Sequence, residues 1–347
     1  MDLESGTVNL TAVTVDNNTE NNLGMGFGGG LSIGSATVTI SGGTVDNNTY
    51  SGYGGGGGLY IAGGTVTLSG VNVNSNTGNS AGQAGGLWIA GGSITLSNDT
   101  IDYNAGAHYG GGLYITGGSV NMSGNTVDYN SANAGGGVYI NSATPVNMSN
   151  DSINSNTAVT GGGLYLRGNV SSTGDTVNAN TAEISWPGVA EGGGFFITGG
   201  NVKLSNDAVD YNSVIGNGDD ALGGGLDVVG GTLEMSNDFV EYNVAQGGSS
   251  TSSAGGNAYG AGMEFENGAT VTLCTVTVEF NTAKGGTGTP NGTGFGGGIF
   301  IATGATVYID TPNVDNTDPT VVNNNTDMSG LNGSTANIDG SYIPQIC

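Results

Sequence analysis

Residues 110–130 read GGGLYITGGSVNMSGNTVDYN, and the pattern of this stretch decides the fold. After the glycines, Leu113 and Ile115 point to one side of an extended segment and Tyr114 points to the other, because side chains alternate along a β-strand. The glycine pair at 117–118 then allows a tight corner, since glycine accepts a positive φ. The first part of the stretch therefore predicts a short strand that ends in a turn.

The rest of the stretch predicts two more strands. In residues 119–123, Val120 and Met122 occupy alternate positions on one face. A second corner follows at 124–125, and Val127 then lies at the centre of a third short segment. Three short strands, each with one apolar face, are the expected content of one solenoid coil.

The same phrase returns along the whole chain at separations of 24–44 residues. Each copy begins with Gly-Gly and an apolar-aromatic-apolar strand, and each ends in a Val-x-x-Asn-like phrase. A repeat of 20–50 residues is typical of solenoids. The closing asparagines are Asn18, Asn48, Asn76, Asn104, Asn130, Asn156, Asn180, Asn212, Asn243, Asn281 and Asn325.

These observations predict an all-β fold, since no stretch has the 3.6-residue period of an amphipathic helix. We expect a right-handed, single-stranded parallel β-helix of about eleven coils, with three short strands per coil, over residues 1–327. Residues 328–347 lack the repeat and are expected to form an irregular tail. Stacked coils should place the closing asparagines in an internal ladder, in which each amide bonds its neighbours above and below.

The paired phrases Gly-Gly-Leu/Val/Ile and Val-x-x-Asn resemble the repeats of chlamydial-type polymorphic outer-membrane proteins. They are also similar to the wider class of bacterial right-handed β-helix surface proteins. The resemblance covers roughly residues 5–325, although the family usually has Phe where this chain has Val127 or Ile101. It implies a right-handed helix and an extracellular or cell-surface passenger, often an adhesive one.

Composition narrows the choice of partners. Only 3 basic residues stand against 28 acidic ones, and the resulting net charge of −25 disfavours nucleic acid and anionic membranes. The sequence contains no run of 18 apolar residues, so it does not predict a membrane-spanning helix. Two cysteines, Cys274 and Cys347, either pair and tie down the tail or remain free thiols.

One outward column of the glycine-led strand is aromatic on six successive coils. Stacked rings on an exposed strand face either stabilise the sheet or form a contact surface for a sugar or a protein. We expect a flat, exposed ribbon that binds a ligand, formed by Tyr60, Trp88, Tyr114, Tyr139, Tyr165 and Phe196.

The outward column of the third strand is mainly acidic. Carboxylates on adjacent coils either remain solvated or share a hard cation such as calcium, which prefers oxygen ligands. Asp102 and Asp128 are the candidates for such a site. No other cofactor is indicated.

The alternative to a binding protein is a polysaccharide-active enzyme. Four insertions, Thr181–Glu191, Ser213–Leu222, Val244–Tyr259 and Thr282–Phe295, share one corner of the coil and overhang the C-terminal half of the aromatic face. Trp186 lies in the first of them. The enzyme hypothesis places Asp227 and Glu264 about 5 Å apart on adjacent coils, a separation that is compatible with paired-carboxylate glycosidase chemistry. Its candidate catalytic residues are Asp219, Asp220, Asp227 and Glu264.

The sequence thus favours a non-catalytic structural or adhesive protein that binds a glycan or a protein at the cell surface. A bare terminal coil leaves strand edges unpaired, so end-to-end self-association is a further expectation. A glycoside hydrolase or lyase remains the competing hypothesis.

Overall fold

The computed structural model describes residues 1–21, 27–52, 54–79, 84–185, 188–266, 268–310, 320–327 and 337–347. Within these ranges every regular element is a β-strand, and the strands stack in parallel from coil to coil. The chain divides into two compact units, residues 1–158 with 163–171, and residues 159–162 with 172–347. Each unit is a parallel β-solenoid, so the predicted fold class is confirmed.

The first sheet contains the strands that follow the glycine phrase. Their register aligns like residues, for example Leu87 with Leu113 and Ile89 with Ile115. In the first unit these strands are Asp2–Leu3, Leu31–Ile33, Leu59–Ile61, Leu87–Ile89, Leu113–Ile115, Val138–Ile140 and Leu164–Leu166. In the second unit they are Phe195–Ile197, Leu226–Val228, Met263–Phe265, Ile299–Ile301 and Ile338–Asp339.

The second sheet contains the Thr-Val-Thr-Leu-like strands. Their inward side chains, such as Val120 and Met122, are buried while the residues between them are exposed. The first unit has Thr7–Thr14, Thr37–Thr44, Thr65–Ser69, Ser93–Ser97, Ser119–Ser123 and Val146–Ser149, and Val170–Thr173 lies at the boundary of the units. The second unit has Asn201–Ser205, Gly231–Ser236, Ala269–Cys274, Thr306–Asp310 and Ile343–Gln345.

The third predicted strand is separate only in part of the chain. In the first two coils it is the end of the long strands Thr7–Thr14 and Thr37–Thr44, and the next two coils contribute single bridges at Asn72 and Thr100. Elsewhere it is a strand of its own: Thr126–Asp128, Ser152–Asn154, Thr176–Asn178, Ala208–Asp210, Phe239–Glu241, Thr277–Glu279 and Val321–Asn323.

A fourth short strand, which the sequence did not predict, follows the closing asparagine of most coils. In the first unit these strands are Thr19–Glu20, Thr49–Tyr50, Thr77–Gly78, Ala105–Gly106 and Thr157–Ala158. In the second unit they are Thr181–Glu183, Ser213–Ile215, Val244–Gln246, Thr282–Lys284 and Thr326–Asp327.

The four insertions of the second unit form a sheet of their own, here called the insertion sheet. Its strands are Ala190–Glu191, Ala221–Leu222, Ala258–Tyr259 and Gly294–Phe295. Small side chains fill the space behind it, among them Ala182, Ala221, Ala245 and Ala258, all fully buried. The insertions therefore continue the solenoid stacking instead of forming irregular loops.

The predicted asparagine ladder is present in both units. Each amide oxygen accepts from the backbone N–H and the amide of the ladder residue one coil earlier, as Asn130 Oδ1 does from Asn104 N (2.9 Å) and Nδ2 (3.0 Å). Each amide also donates to a strand carbonyl, and Asn130 Nδ2 reaches Ile101 O at 2.7 Å. The ladder thus satisfies the polar groups of a buried bend that the strand pairing does not reach.

A second internal ladder, which the sequence reasoning missed, lies at the other corner. In the first unit Asp99, Asn125 and Asp151 occupy it, and in the second unit Asp175, Asp207 and Asp238 do, all of them buried. One oxygen of Asn125, Asp151, Asp207 and Asp238 accepts the backbone N–H of the preceding ladder residue, as Asp238 Oδ1 does from Asp207 N at 2.8 Å. The other carboxylate oxygen accepts a nearer N–H, as Asp238 Oδ2 does from Ser236 N.

The carboxylates of this second ladder make stability depend on pH. Burial raises the pKa of Asp238 to about 7, against the hydrogen bonds from Asp207 and Ser236, and the charge of Asp207 raises it further. The folded state therefore holds its proton more tightly than the unfolded chain, whose carboxyl titrates near its ordinary value of 3.8. The stabilising contribution is complete below that value and is lost as the pH rises toward 7.

We expect Asp238→Asn to shift the melting temperature upward by at least about 3 °C more at pH 8 than at pH 4. An amide is neutral at both pH values and keeps an acceptor for Asp207 N–H, as Asn125 does for Asp99 at 2.9 Å, while the loss of the acceptor for Ser236 N–H is the same at both pH values. Thermal unfolding at the two pH values, with the exposed Glu183→Gln as control, measures the difference. Equal shifts at pH 4 and pH 8 would contradict the titration argument.

The C-terminal residues correct the expectation of an irregular tail. Residues 328–336 lie outside the described ranges, but Ile338 pairs with Ile299, and Pro344 pairs with Ile309. Cys347 forms a disulfide with Cys274, with a Cα–Cα distance of 5.8 Å. The end of the chain thus continues the first and second sheets and is fixed covalently to an earlier coil.

Candidate functional site

The predicted aromatic column, here called the inner aromatic column, is continuous in the first unit. The ring centroids of Tyr60, Trp88, Tyr114, Tyr139 and Tyr165 follow one another at 4.4–5.5 Å. Phe196 is the equivalent residue of the first full coil in the second unit. The register of the first sheet produces this column, because it aligns the central residue of each strand with the next.

The inner aromatic column is not the exposed ribbon that the sequence suggested. Tyr114, Tyr139 and Phe196 are only 8%, 5% and 6% exposed, and the expectation is wrong for these three. Tyr109, from the segment after the closing asparagine, packs its ring over Tyr114 and Tyr139 at 5.5 and 4.7 Å. The column therefore forms a layer between the first sheet and the corner segments, with Tyr60, Trp88 and Tyr165 half-buried.

A different set of rings is exposed, here called the outer aromatic column. These residues immediately precede the asparagines of the asparagine ladder at the end of the third strand, and each is between 40% and 61% exposed. The sequence reasoning passed over them, although their fixed place in the Val-x-x-Asn phrase was a visible signal. They are Tyr103, Tyr129, Tyr211, Tyr242 and Phe280.

The outer aromatic column occupies a strained backbone position. All five residues have φ between +55° and +58°, a region that bulky side chains rarely adopt. The residue just before each position of the second internal ladder has the same left-handed conformation. This residue is Gly or Asn in eight of ten coils and is never aromatic. Those ten residues are Ala12, Gly42, Gly70, Asn98, Gly124, Asn150, Gly174, Asn206, Asn237 and Thr275.

Ring stacking does not account for this choice of residues. Tyr103 stacks on Tyr129 at 4.9 Å, and Tyr242 lies between Tyr211 and Phe280 at 4.9 and 5.0 Å. A left-handed conformation costs about 1–2 kcal/mol per residue. One aromatic pair contributes about 0.5–1.5 kcal/mol. In the first unit two strained residues form only one aromatic pair, so the cost of the strain exceeds the gain from stacking. Stability alone therefore favours Asn at these positions.

Among the described residues, no further ring continues either stack. The coil before Tyr103 has Ser75 at the equivalent position and the coil after Tyr129 has Ser155. In the second unit Ala179 precedes Tyr211, and Asn324 follows Phe280. A flat apolar ligand surface therefore finds an open ring face at either end of each stack.

A carboxylate stands directly before every ring of the outer aromatic column. In the second unit Asp210, Glu241 and Glu279 take this place, and the charges of Asp210 and Glu279 reinforce burial in raising the pKa of Glu241. In the first unit Asp102 and Asp128 do so. The coils with a small residue in place of a ring have an asparagine there instead, namely Asn74, Asn154 and Asn178.

The carboxylates predicted for the enzyme hypothesis meet in the second unit. Asp227 and Glu264 are register partners at the centres of adjacent strands of the first sheet. The insertion sheet supplies Glu191, and Glu266 follows the strand Met263–Phe265. Among the described residues, Glu191, Asp227 and Glu266 are the one set of three metal-ligating side chains whose oxygens lie within 4.8 Å of one another.

This cluster is covered by protein. Asp227 is fully buried and Glu264 is 4% exposed, and Glu191 of the insertion sheet places an oxygen within 4.8 Å of an Asp227 oxygen. Burial raises the pKa of both carboxyls well above the ordinary range, and their acidic neighbours add to the effect. Burial likewise raises the pKa of Glu191 to about 7. A buried pair cannot contact a polysaccharide chain in this conformation.

The other two candidate catalytic residues, Asp219 and Asp220, are less closely associated with Asp227 and Glu264. Asp220 Oδ1 accepts from Asn257 N at 2.6 Å, and its charge reaches Glu264. Asp219 is exposed. Trp186 lies outside the described residues.

The predicted calcium ligands on the third strand, Asp102 and Asp128, accept hydrogen bonds from the backbone of the next coil. Asp102 Oδ1 accepts from Asp128 N at 3.1 Å, and Asp128 Oδ1 accepts from Asn154 N at 2.9 Å. Burial raises the pKa of Asp128 to about 6. Each carboxylate thus stabilises the next coil with one oxygen.

Comparisons with known proteins give no match: no family model, no curated protein and no solved structure matches this chain. Within the described residues no helix is long and apolar enough to cross a membrane.

Proposed function

We propose that this protein is an extracellular or cell-surface solenoid that binds glycans through the outer aromatic column and catalyses no reaction on them. One observation carries the proposal. Bulky rings occupy a strained, solvent-exposed position at which the same chain elsewhere uses Asn, Ser or Ala. Strain that persists without a stability benefit is typical of functional positions.

The chemistry of the column selects the class of glycan. Ring faces suit the apolar faces of sugars, and the carboxylate before each ring accepts hydrogen bonds from hydroxyl or ammonium groups. Acidic polysaccharides are disfavoured, because the column carries like charge on a protein of net charge −25. The expected ligands are therefore neutral glycans and glycans of amino sugars.

The disulfide supports the proposed location. Disulfides form and persist mainly in oxidising compartments such as the cell exterior. The bond between Cys274 and Cys347 closes a separation of 73 residues and fixes the C-terminal strands. The similarity of the repeats to those of bacterial surface passengers agrees with this location.

The glycan proposal predicts the behaviour of one designed variant. We expect Tyr211→Asn/Tyr242→Asn/Phe280→Asn to bind neutral or amino-sugar glycans at least about tenfold more weakly than the natural chain. Asn is the residue that the chain itself uses at this φ in Asn17, Asn47 and Asn324, so the fold should remain intact. A glycan array of neutral, amino-sugar and acidic polysaccharides, followed by titration calorimetry, measures the loss.

Phe239→Thr is the matched control for that experiment. Phe239 is also an exposed ring in the second unit, and its register partner in the next coil is Thr277. The control should bind normally. Undiminished binding by the triple variant would refute the proposal, and turnover of a bound glycan that Asp227→Asn abolishes would favour the glycosidase instead.

A further inference from the structure

Four carboxylates of the second unit converge beneath the insertion sheet. Asp227 and Glu264 project from neighbouring strands of the first sheet, Glu191 ends a strand of the insertion sheet, and Glu266 lies in the turn after Phe265. Oxygens of Glu191, Asp227 and Glu266 lie within 4.8 Å of one another. Strands of two different sheets thus direct acidic side chains toward one point.

The buried oxygens of this cluster find no donor among the described residues. Asp227 is fully buried, and neither of its carboxylate oxygens has a hydrogen-bond partner there. The same holds for Glu264 Oε2. The charges that act on Asp227 come from Glu264, Glu266 and Glu191, which are all acidic.

Such a cluster requires a positive partner. Ionised carboxylates are strongly unfavourable in a buried site unless they are paired or coordinate a metal. The chain has only three basic residues: Lys203 is paired with Glu234 at 2.6 Å on the surface, and Arg167 and Lys284 are exposed. A proton shared by two oxygens would leave the other oxygens of the cluster without a partner.

The geometry points to a calcium-binding site formed by Glu191, Asp227, Glu264 and Glu266. All of the donor atoms are carboxylate oxygens, which favour hard cations, and no sulfur or imidazole is present to favour zinc. Calcium binds oxygens at about 2.3–2.6 Å, so two ligands on opposite sides of the ion lie about 4.6–5.2 Å apart. The oxygens of Glu191, Asp227 and Glu266 lie within 4.8 Å of one another, close enough to share one ion of this size. A site made of four protein carboxylates favours calcium over magnesium, because magnesium usually keeps several waters and takes only one or two carboxylates.

The site would join two layers of the second unit. Glu191 pairs with Leu222 in the insertion sheet, and Leu222 pairs with Tyr259, so a bound ion would link this sheet to the strands that carry Asp227 and Glu264. Calcium binding should therefore hold the insertions against the first sheet. This inference is independent of glycan binding by the outer aromatic column.

The experiment uses the full chain after treatment with a chelator. Titration calorimetry with CaCl₂ should show one site per chain, saturated at about millimolar calcium or below, the range of extracellular modules. Terbium luminescence should report the same site, and calcium should displace the terbium. The melting temperature should rise with calcium, since the ion binds only the folded chain.

Two variants distinguish this site from general attraction to an acidic protein. Asp227→Asn/Glu264→Gln should lose the terbium signal and the calcium-dependent rise in melting temperature. In chelator the melting temperature of this variant should equal or exceed that of the natural chain, because the repulsion between the carboxylates is removed. A lower melting temperature in chelator would instead indicate misfolding. Asp102→Asn/Asp128→Asn removes two charges outside the cluster and should leave binding unchanged.

Retention of stoichiometric binding by Asp227→Asn/Glu264→Gln would overturn the inference. So would a natural chain whose melting temperature is identical in calcium and in chelator, since the carboxyls would then be held neutral by protons. Loss of binding in Asp102→Asn/Asp128→Asn alone would move the site to the third strand and would equally refute it.

Discussion

Replacing Asn130 with alanine should lower the free energy of unfolding by about 3 kcal/mol. The substitution leaves the backbone N–H and the amide of Asn104 without their acceptor, and Ile101 O without its donor. Each buried polar group that loses its partner costs about 1–3 kcal/mol. Asn130 is fully enclosed in the first unit, so water cannot replace these bonds without opening the coil. Urea unfolding monitored by circular dichroism measures the change.

The matched control for this substitution is Asn18→Ala. Asn18 begins the same ladder but is exposed, and its side chain bonds only Asn48 Oδ1 and Asp16 O. Its loss should cost less than about 1 kcal/mol, because water replaces the missing partners. Equal losses at the two positions would mean that the ladder does not act as a continuous internal structure.

Replacing Cys347 with serine should destabilise the second unit by about 4 kcal/mol. The disulfide to Cys274 closes a separation of 73 residues, and a closed loop of this length removes much of the entropy of the unfolded chain. Little else holds the C-terminal strands, because Ile338–Asp339 and Ile343–Gln345 are short, and Tyr342, Ile343 and Ile346 are exposed. Thermal unfolding with and without reductant measures the loss.

Limited proteolysis distinguishes the local effect from the global one. Cys347→Ser and the reduced natural chain should both lose residues 337–347 to proteases under conditions in which the oxidised chain resists cleavage. Cys274→Ser/Cys347→Ser should match the single variant, since the bond is lost in both. An unchanged melting temperature together with an intact C-terminus would show that strand pairing alone fixes the chain end.

How far the sequence predicts the candidate sites depends on whether a residue's role is local. The aromatic side of the glycine-led strand was predicted correctly, because alternation along a strand places Tyr114 opposite Leu113 and Ile115. The burial of this aromatic side was not predicted. Tyr109 and the corner segment cover it, and the path of that segment depends on the whole stack. The outer aromatic column was missed for a related reason. A positive φ at Tyr103 or Tyr242 follows from the corner geometry and is not a preference of tyrosine.

The sequence by itself determined the repeat, the parallel stacking and the asparagine ladder, because each follows from a short phrase that recurs at the same place in every coil. It also brought Asp227 and Glu264 onto neighbouring strands, since the phrase fixes their register. Only the tertiary structure decided that these carboxylates are buried and that Glu191 and Glu266 join them. The insertions differ in length and sequence, so their position over the first sheet depends on packing between coils, which no single repeat encodes.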